Sequence, residues 1–90
     1  MIEEALNKSL IVIPSINGGK LLKRMLPTLK VPTNIVLVID QGSTDNTEAV
    51  CRAAGVEVLQ LGRPHPYTEA CNIGAKVASE RGCDYLFVGN

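Results

Sequence analysis

Aromatic residues and an excess of charge of either sign are what this 90-residue sequence most clearly lacks. Tryptophan is absent, and Tyr67, Tyr85 and Phe87 are the only aromatic residues. Nine basic residues balance nine acidic ones, so the formal net charge is zero. Proteins that bind nucleic acid usually carry a basic face with aromatic residues among the cations. The composition therefore argues against nucleic acid as a partner.

Long hydrophobic runs and paired cysteines are absent as well. No apolar run approaches the roughly 20 residues that a membrane-spanning helix needs, so no transmembrane segment is predicted. The three cysteines, Cys51, Cys71 and Cys83, form no C-x-x-C pair, and with the single histidine His65 they give no familiar zinc-site spacing. Packed, reduced thiols are the simpler interpretation. They favour a cytoplasmic location.

Positive charge is concentrated in one predicted helix, Lys20–Lys30. Its cations are Lys20, Lys23, Arg24 and Lys30, and it contains no acidic residue. A solvated helix face is the common reason for such a cluster, and a peripheral contact with an anionic lipid surface or a phosphate is the alternative.

The hydrophobic pattern that is present predicts a small α/β domain. Short apolar runs suited to strands alternate with helical patterns, which is typical of a parallel sheet covered by helices on both faces. We expect a three-layer α/β/α unit with right-handed crossovers. The predicted strands are Leu10–Ile13, Ile35–Ile39, Val56–Leu61 and Tyr85–Val88, and the predicted helices are Lys20–Lys30, Asn46–Ala54 and Thr68–Arg81.

The most informative stretch joins the second strand to the second helix. An uninterrupted apolar run, Ile35–Ile39, stops at the carboxylate Asp40, and a glycine follows two residues later. Ser43, Thr44 and Asp45 compete to cap the next helix, and Asp45 with Glu48 has the spacing of a capping box. In open α/β sheets ligands bind at this strand-to-helix edge. We expect Asp40 to face solvent or ligand there, beside Pro14.

Several separated segments resemble those of family 2 glycosyltransferases, which have a GT-A fold. D-Q-G-S-T-D-N-T, from Asp40 to Thr47, is similar to the family's D-D-G-S-T-D-x-T. P-S-I-N, from Pro14, resembles its P-T-Y-N, and A-C-N-I-G, from Ala70, resembles its A-R-N-x-G. The resemblance runs from about Leu10 to Asn90. It implies a strand order of 3-2-1-4.

The resemblance also implies a nucleotide-sugar site. Gln41 stands where the family has a second aspartate, and its amide could still read uracil or thymine, which suggests a UDP- or dTDP-type donor. Arg63 and His65, in an irregular loop, could contact the diphosphate, although exposed loop residues without that duty are the alternative. The residues implied to bind the nucleotide are Pro14, Ser15, Asn17, Asp40, Gln41, Gly42, Ser43 and Asn72.

The sequence departs from the family at two places. Cys71 replaces the arginine of A-R-N, which removes a positive charge near the expected site. The family holds Mg²⁺ or Mn²⁺ with an Asp-x-Asp motif after the fourth strand, but here only Gly89 and Asn90 follow that strand. Metal ligands are therefore expected mostly beyond residue 90, with Asn90 as the one neutral candidate. We predict no catalytic residue within the chain.

The implied organisation is a lead-in at residues 1–9 and, at residues 10–90, the nucleotide-sugar-binding half of a GT-A domain that stops short of the family's full length. The implied function is sugar transfer from a nucleotide donor to an unknown acceptor, with this chain inactive alone and either self-associating or completed by a C-terminal half. The alternative is a non-catalytic binding or assembly domain. A nucleotidyltransferase would need G-x-G-x-R, and a dinucleotide oxidoreductase G-x-G-x-x-G, after a strand; neither motif is present.

Overall fold

The computed structural model describes residues 8–89 as four parallel strands joined by three helices. Short 3₁₀ turns at Leu26–Thr28 and Thr33–Ile35 precede the second strand. The strands are hydrogen-bonded in the order β3-β2-β1-β4, which confirms the predicted order. The elements are β1 (Ser9–Ser15), α1 (Gly19–Met25), β2 (Val36–Asp40), α2 (Thr47–Ala53), β3 (Glu57–Gln60), α3 (Tyr67–Glu80) and β4 (Tyr85–Val88).

The central strand β2 is buried along its whole length because helices cover both faces of the sheet. Val36 and Val38 pack on one face with Leu22 of α1 and Cys51 of α2. On the other face Leu37 and Ile39 pack in a cluster that includes residues of β1 and α3. This arrangement confirms the three-layer fold, and it explains why the apolar run of β2 does not alternate with polar residues.

Strand β1 continues further than the sequence predicts. It runs through Pro14 to Ser15, whereas the predicted strand ends at Ile13 because a proline follows. The carbonyl of Val12 accepts a hydrogen bond from Gly89 N, so the backbone N–H and C=O groups of Val12 point toward β4. Backbone directions repeat every second residue in a strand, so the backbone nitrogen of Pro14 points the same way. Strand β4 has ended at that level, so the N–H that proline lacks is not needed. The predicted lead-in is also one residue too long, since Ser9 belongs to β1; residues 1–7 lie outside the described part.

The two short helices place different residues inward than predicted. The helical spacing predicts that Leu21 and Leu22 both face the core; Leu22 is buried, but Leu21 is 60% exposed. In α2 the same pattern predicts Ala49 and Ala53 inside, but both are exposed, and Thr47 and Cys51 are buried. Each helix has fewer than two full turns, so several apolar faces match the sequence pattern equally well.

Helix termini also differ in detail from the predictions. Helix α1 ends at Met25 and the chain tightens into a 3₁₀ turn at Pro27, as expected from the missing proline N–H. Helix α3 begins at Tyr67, and Pro66 is its N-cap without a side-chain cap bond. The pattern predicts a helix that starts at Thr68 with this threonine as its cap, and the structure contradicts that cap. Proline at this position presets the backbone torsion that precedes a helix, so no hydroxyl cap is required.

Residues 8–89 leave two apolar surfaces uncovered. A groove of about 370 Å³ runs between α1 and α2, with Leu22 and Ala53 among its lining residues. Every residue of the edge strand β4 is exposed, from 37% at Leu86 to 57% at Phe87. No helix within residues 8–89 is long and apolar enough to cross a membrane.

Candidate functional site

The polar residues singled out in the sequence meet at the carboxyl edge of the sheet. Ser15, Asp40 and Gln60, the last residues of three neighbouring strands, lie side by side in register. From β1 the chain adds β2 and then β3 on one side of the sheet. It then crosses back and adds β4 on the other side of β1, so the strand order reverses at β1. In doubly wound sheets the crevice at such a reversal binds ligands.

Asp40 supports the loop that follows it. Its side chain is 2% exposed, because the loop from Gln41 to Ser43 folds back over it. Oδ1 accepts hydrogen bonds from the N–H (3.1 Å) and the hydroxyl of Ser43, and Oδ2 accepts one from Gln60 Nε2 at 2.9 Å. The predicted position of Asp40 at the carboxyl edge is confirmed. Asp40 was expected to face solvent or a ligand there, beside Pro14; it does not face solvent, because the residue is buried, and its contact with a ligand stays a prediction. Its neighbour in β1 is Ser15.

Asn17 joins the turn after β1 to the loop after β2. Its N–H donates to Ser43 Oγ at 2.8 Å, and its Oδ1 accepts from Thr44 N at 2.8 Å. The residue has φ = 51°, a conformation that asparagine tolerates better than most non-glycine residues. A continuous chain of hydrogen bonds therefore runs from Asn17 through Ser43 to Asp40.

Gln41 brings the loop after β3 to the same edge. Its Oε1 accepts a hydrogen bond from His65 N at 2.8 Å, and its Nε2 makes no hydrogen bond within residues 8–89. His65 Nδ1 lies 2.8 Å from the carbonyl oxygen of Arg63, which assigns the proton to Nδ1 and leaves Nε2 open toward other partners. Gly42 makes this approach possible, since a Cβ there would lie 3.0 Å from the carbonyl oxygen of Gly62.

Two predicted contact residues stand apart from this hydrogen-bonded cluster. Pro14 lies in β1 opposite Ile39, one residue before the edge row. Asn72 is exposed on α3, and within the described residues no hydrogen bond joins it to the cluster. Its neighbour Cys71 contacts Tyr67 instead, and their hydrogen bond raises the pKa of the Tyr67 hydroxyl above 10.0.

Gln60 was missed at the sequence level, and Asp45 was assigned a different partner. Gln60 binds Asp40, and only the strand register places it there, 20 residues away along the chain. Asp45 was expected to form a capping box with Glu48, but Glu48 instead accepts from Gln60 and pairs with Arg52 at 3.5 Å. The available signal for Gln60 was a polar residue near the carboxyl end of the predicted strand Val56–Leu61.

Asp45 ties the first turns of α1 and α2 together. Its Oδ2 accepts from Gly19 N at 3.0 Å, and its Oδ1 accepts from the N–H of Thr47 at 3.0 Å and from the Thr47 hydroxyl. The hydroxyl of Thr47, with smaller contributions from the two N–H groups, lowers the pKa of Asp45 below its ordinary 3.8. The charged carboxylate is therefore the form that fits both helix ends.

We expect Asp45→Asn to destabilise the fold at pH 7 and to destabilise it less at pH 2.5. A carboxyl whose pKa is lowered on folding stabilises the native state above its unfolded pKa, and this contribution is lost as the pH falls through the folded pKa. Urea denaturation at both pH values measures the difference between wild type and variant. Glu80→Gln, at an exposed acid in α3, is the control. A difference that stays the same at pH 2.5 would contradict the assignment.

The described residues do not fit a divalent metal. Within residues 8–89 no group of three or more histidine, cysteine, aspartate or glutamate side chains could hold one. Both oxygens of Asp40 already accept hydrogen bonds from protein donors. Asn90, the one candidate ligand named from the sequence, lies outside the described residues.

Comparison with known families identifies the chain. The family model described as glycosyl transferase family 2 matches residues 10–88, which is nearly the whole sequence. The chain belongs to glycosyl transferase family 2. The matched range includes the residues of the carboxyl edge, among them Asp40–Ser43 and the turn after β1. No match is found among curated proteins.

Solved structures confirm the GT-A fold of this family 2 member. Glucosyl-3-phosphoglycerate synthase from Mycobacterium tuberculosis, described in complex with Mn²⁺, UDP and glucosyl-3-phosphoglycerate, superposes with a TM-score of 0.57 at 24% identity. The same enzyme with Mg²⁺ and UDP gives a TM-score of 0.52 at 24% identity. Each comparison covers 88% of this chain and 33% of the enzyme's chain, so this chain spans about a third of the length of these structures.

Proposed function

We propose that this chain binds the nucleotide of a UDP- or dTDP-type sugar donor and is the donor-binding part of a glycosyltransferase. The observation that carries the proposal is the convergence of three loops at the carboxyl edge of the sheet, held together by Asn17, Asp40 and Gln41. This edge lies at the strand-order reversal where α/β proteins bind ligands. Family membership and the UDP-bound structures of similar fold support the same assignment.

Gln41 is the residue that we assign to base recognition. Its Nε2–H can donate to a carbonyl of uracil or thymine, because no residue of the described part uses that donor. Its Oε1 accepts from His65 N with one lone pair and retains a second for the N3–H of the base. Backbone and side-chain groups at Pro14, Ser15, Gly42 and Ser43 would line the same crevice, and Asn72 is a further proposed contact.

The loop after β3 is assigned to the diphosphate. The hydrogen bond from His65 N to Gln41 holds Arg63 and His65 next to the base-reading residue, although both lie in an irregular segment. An arginine guanidinium donates to phosphate oxygens, and His65 Nε2 does so when the ring is protonated on both nitrogens. Asp40 and Asn17 act indirectly in this arrangement, by fixing Ser43 and the loop around Gln41.

The described residues bind and orient the donor, and we assign no catalytic residue among them. They do not fit the Mg²⁺ or Mn²⁺ found in similar structures, so no step is routed through a metal here. We propose that residues 10–90 are the nucleotide-binding portion of a GT-A domain and do not transfer sugar alone. The acceptor side of the reaction is left to residues outside those described. A cytoplasmic location stays a prediction.

The exposed edge strand favours a second candidate function. All four residues of β4 are at least 37% exposed, and its outer edge pairs with no strand within residues 8–89. A bare apolar edge invites pairing with another segment. Under this alternative the chain is a binding or assembly domain that self-associates, or packs against a further part of its parent protein, through β4.

Base selectivity tests the leading proposal. We expect the chain to bind UDP with a Kd on the order of 1 mM, equivalent to about −4 kcal/mol, and to bind ADP at least about fivefold more weakly. Gln41→Leu should remove the preference for UDP, because it deletes both groups that read the base. Ser79→Leu, an exposed residue near the far end of α3, is the control. Isothermal titration measures the affinities. Equal affinity for UDP and ADP in the wild type would overturn the proposal.

A further inference from the structure

Gln60 occupies an unusual position between two carboxylates. It is the last residue of β3 and lies in register with Asp40. Its Nε2 is 2.9 Å from Asp40 Oδ2 and 3.1 Å from Glu48 Oε1. A primary amide nitrogen carries two hydrogens, so each carboxylate can receive one of them. One neutral side chain therefore bridges two anionic ones.

The surroundings of this bridge are crowded with charge. Helix α2 contributes Glu48, the buried thiol of Cys51 and Arg52, which pairs with Glu48 at 3.5 Å. The pKa of Cys51 is raised mainly by burial and further by the negative charges of Asp40 and Glu48. From the loop after β3, His65 reaches the same edge through Gln41. A donor between the two carboxylates offsets their mutual repulsion without adding a charge.

We propose that Gln60 is a positioning residue for the nucleotide site. By donating to Asp40 Oδ2 it fixes the carboxylate in the orientation in which Oδ1 holds the N–H and hydroxyl of Ser43. Ser43 in turn fixes the loop that begins at Gln41. This inference rests on the proposed function for its effect on ligand binding, but the bridge itself is a property of the free protein.

A glutamine is well suited to this position for a physical reason. Glutamate would face Asp40 and Glu48 with a third carboxylate and no donor at neutral pH, so the three groups would repel one another. Leucine would leave Asp40 with only the Ser43 donors and would leave Glu48 without its Gln60 partner. A proton shared between two carboxyl groups can replace the amide hydrogen, and that proton becomes available only as the pH falls.

The test uses Gln60→Glu and Gln60→Leu in the full 90-residue chain, with UDP as the probe. At pH 8 both variants should bind UDP about tenfold more weakly than the wild type, which corresponds to a binding free energy that is less favourable by about 1.4 kcal/mol. At pH 5.5 the Gln60→Glu variant should recover most of this loss relative to wild type at the same pH, while Gln60→Leu should not. Asn34→Asp, an amide-to-carboxylate change at an exposed site before β2, controls for added negative charge.

A second readout is independent of ligand. The Ser43 amide NMR signal of the free Gln60→Glu variant should move between pH 8 and pH 5.5 toward its wild-type position. A loss of affinity that is equal at both pH values would overturn the inference, as would full affinity at pH 8. If the wild type binds no UDP, the proposed function fails, and the Ser43 signal alone decides: an unchanged signal overturns the bridge, and the pH-dependent return supports it.

Discussion

Asp40→Ala is expected to lower the free energy of unfolding by about 2–4 kcal/mol and to abolish detectable UDP binding. The substitution removes the acceptor for the Ser43 N–H, the Ser43 hydroxyl and Gln60 Nε2 at a site that is 2% exposed. A buried donor left without a partner costs about 1–3 kcal/mol. These three hydrogen bonds are only part-buried, so water can replace some of the lost acceptor. Since small domains are stable by only about 5–15 kcal/mol, the expected loss is a large fraction of the total.

Asp40→Asn keeps the size and shape of the side chain but removes its negative charge, so it separates the two contributions to stability in the same experiment. An amide keeps one acceptor oxygen for Ser43 but turns a donor toward Gln60, which already donates. We therefore expect an intermediate loss of stability in urea denaturation, with the Gln60→Leu background restoring part of it. A loss below about 0.5 kcal/mol for Asp40→Ala, the size typical of surface substitutions, would mean that the carboxylate does not support the loop.

Gly74→Val is expected to destabilise the fold by about 2–3 kcal/mol, in the range measured for overpacked cores. Helix α3 crosses β1 at this glycine, and a Cβ there would lie 2.8 Å and 2.9 Å from the two methyl carbons of Val12. Val12 is fully buried, and its β-branched side chain has little rotamer freedom with which to move away. The helix must therefore shift off the sheet.

A double-mutant cycle checks the cause. Val12→Ala removes the methyl groups that would clash, so the combined variant should be more stable than the sum of the two single losses predicts, with a coupling on the order of 1 kcal/mol. Ala75→Val places valine on the exposed side of the same helix and measures the cost of a β-branched residue there without the clash against Val12. Simple additivity in the cycle would show that Gly74 and Val12 do not limit the packing distance.

The strands and the meeting of polar residues at the carboxyl edge could be predicted, because both follow from local pattern. The apolar run before Asp40 indicated a buried parallel strand, and β4 was predicted with its observed bounds, Tyr85–Val88. The segments that resemble family motifs gave the strand order. These segments follow the carboxyl ends of strands. Because the carboxyl ends of parallel strands lie at one edge of the sheet, the polar residues in the segments were expected to meet there.

Contacts between side chains distant in sequence could not be predicted. The bonds from Asn17 to Ser43 and from His65 to Gln41 join residues 26 and 24 positions apart, and they depend on how each loop folds over the edge. These contacts fold the loop over Asp40 and bury it. Because the sequence does not reveal them, it suggested an exposed acid. The buried face of the short helices could not be predicted either, because fewer than two turns do not define a single apolar face. Leu21 is the example: its pattern suggested burial, but it is exposed.

The central claim is that the carboxyl edge of the sheet is the nucleotide site, and a UDP titration followed by amide NMR tests it most directly. We predict that the signals of Ser15, Gln41, Gly42 and Ser43 move first, followed by those of Arg63 and His65, and that ADP produces smaller shifts at the same positions. Movement confined to α1 and the groove beside α2, or equal shifts with both nucleotides, would contradict the account.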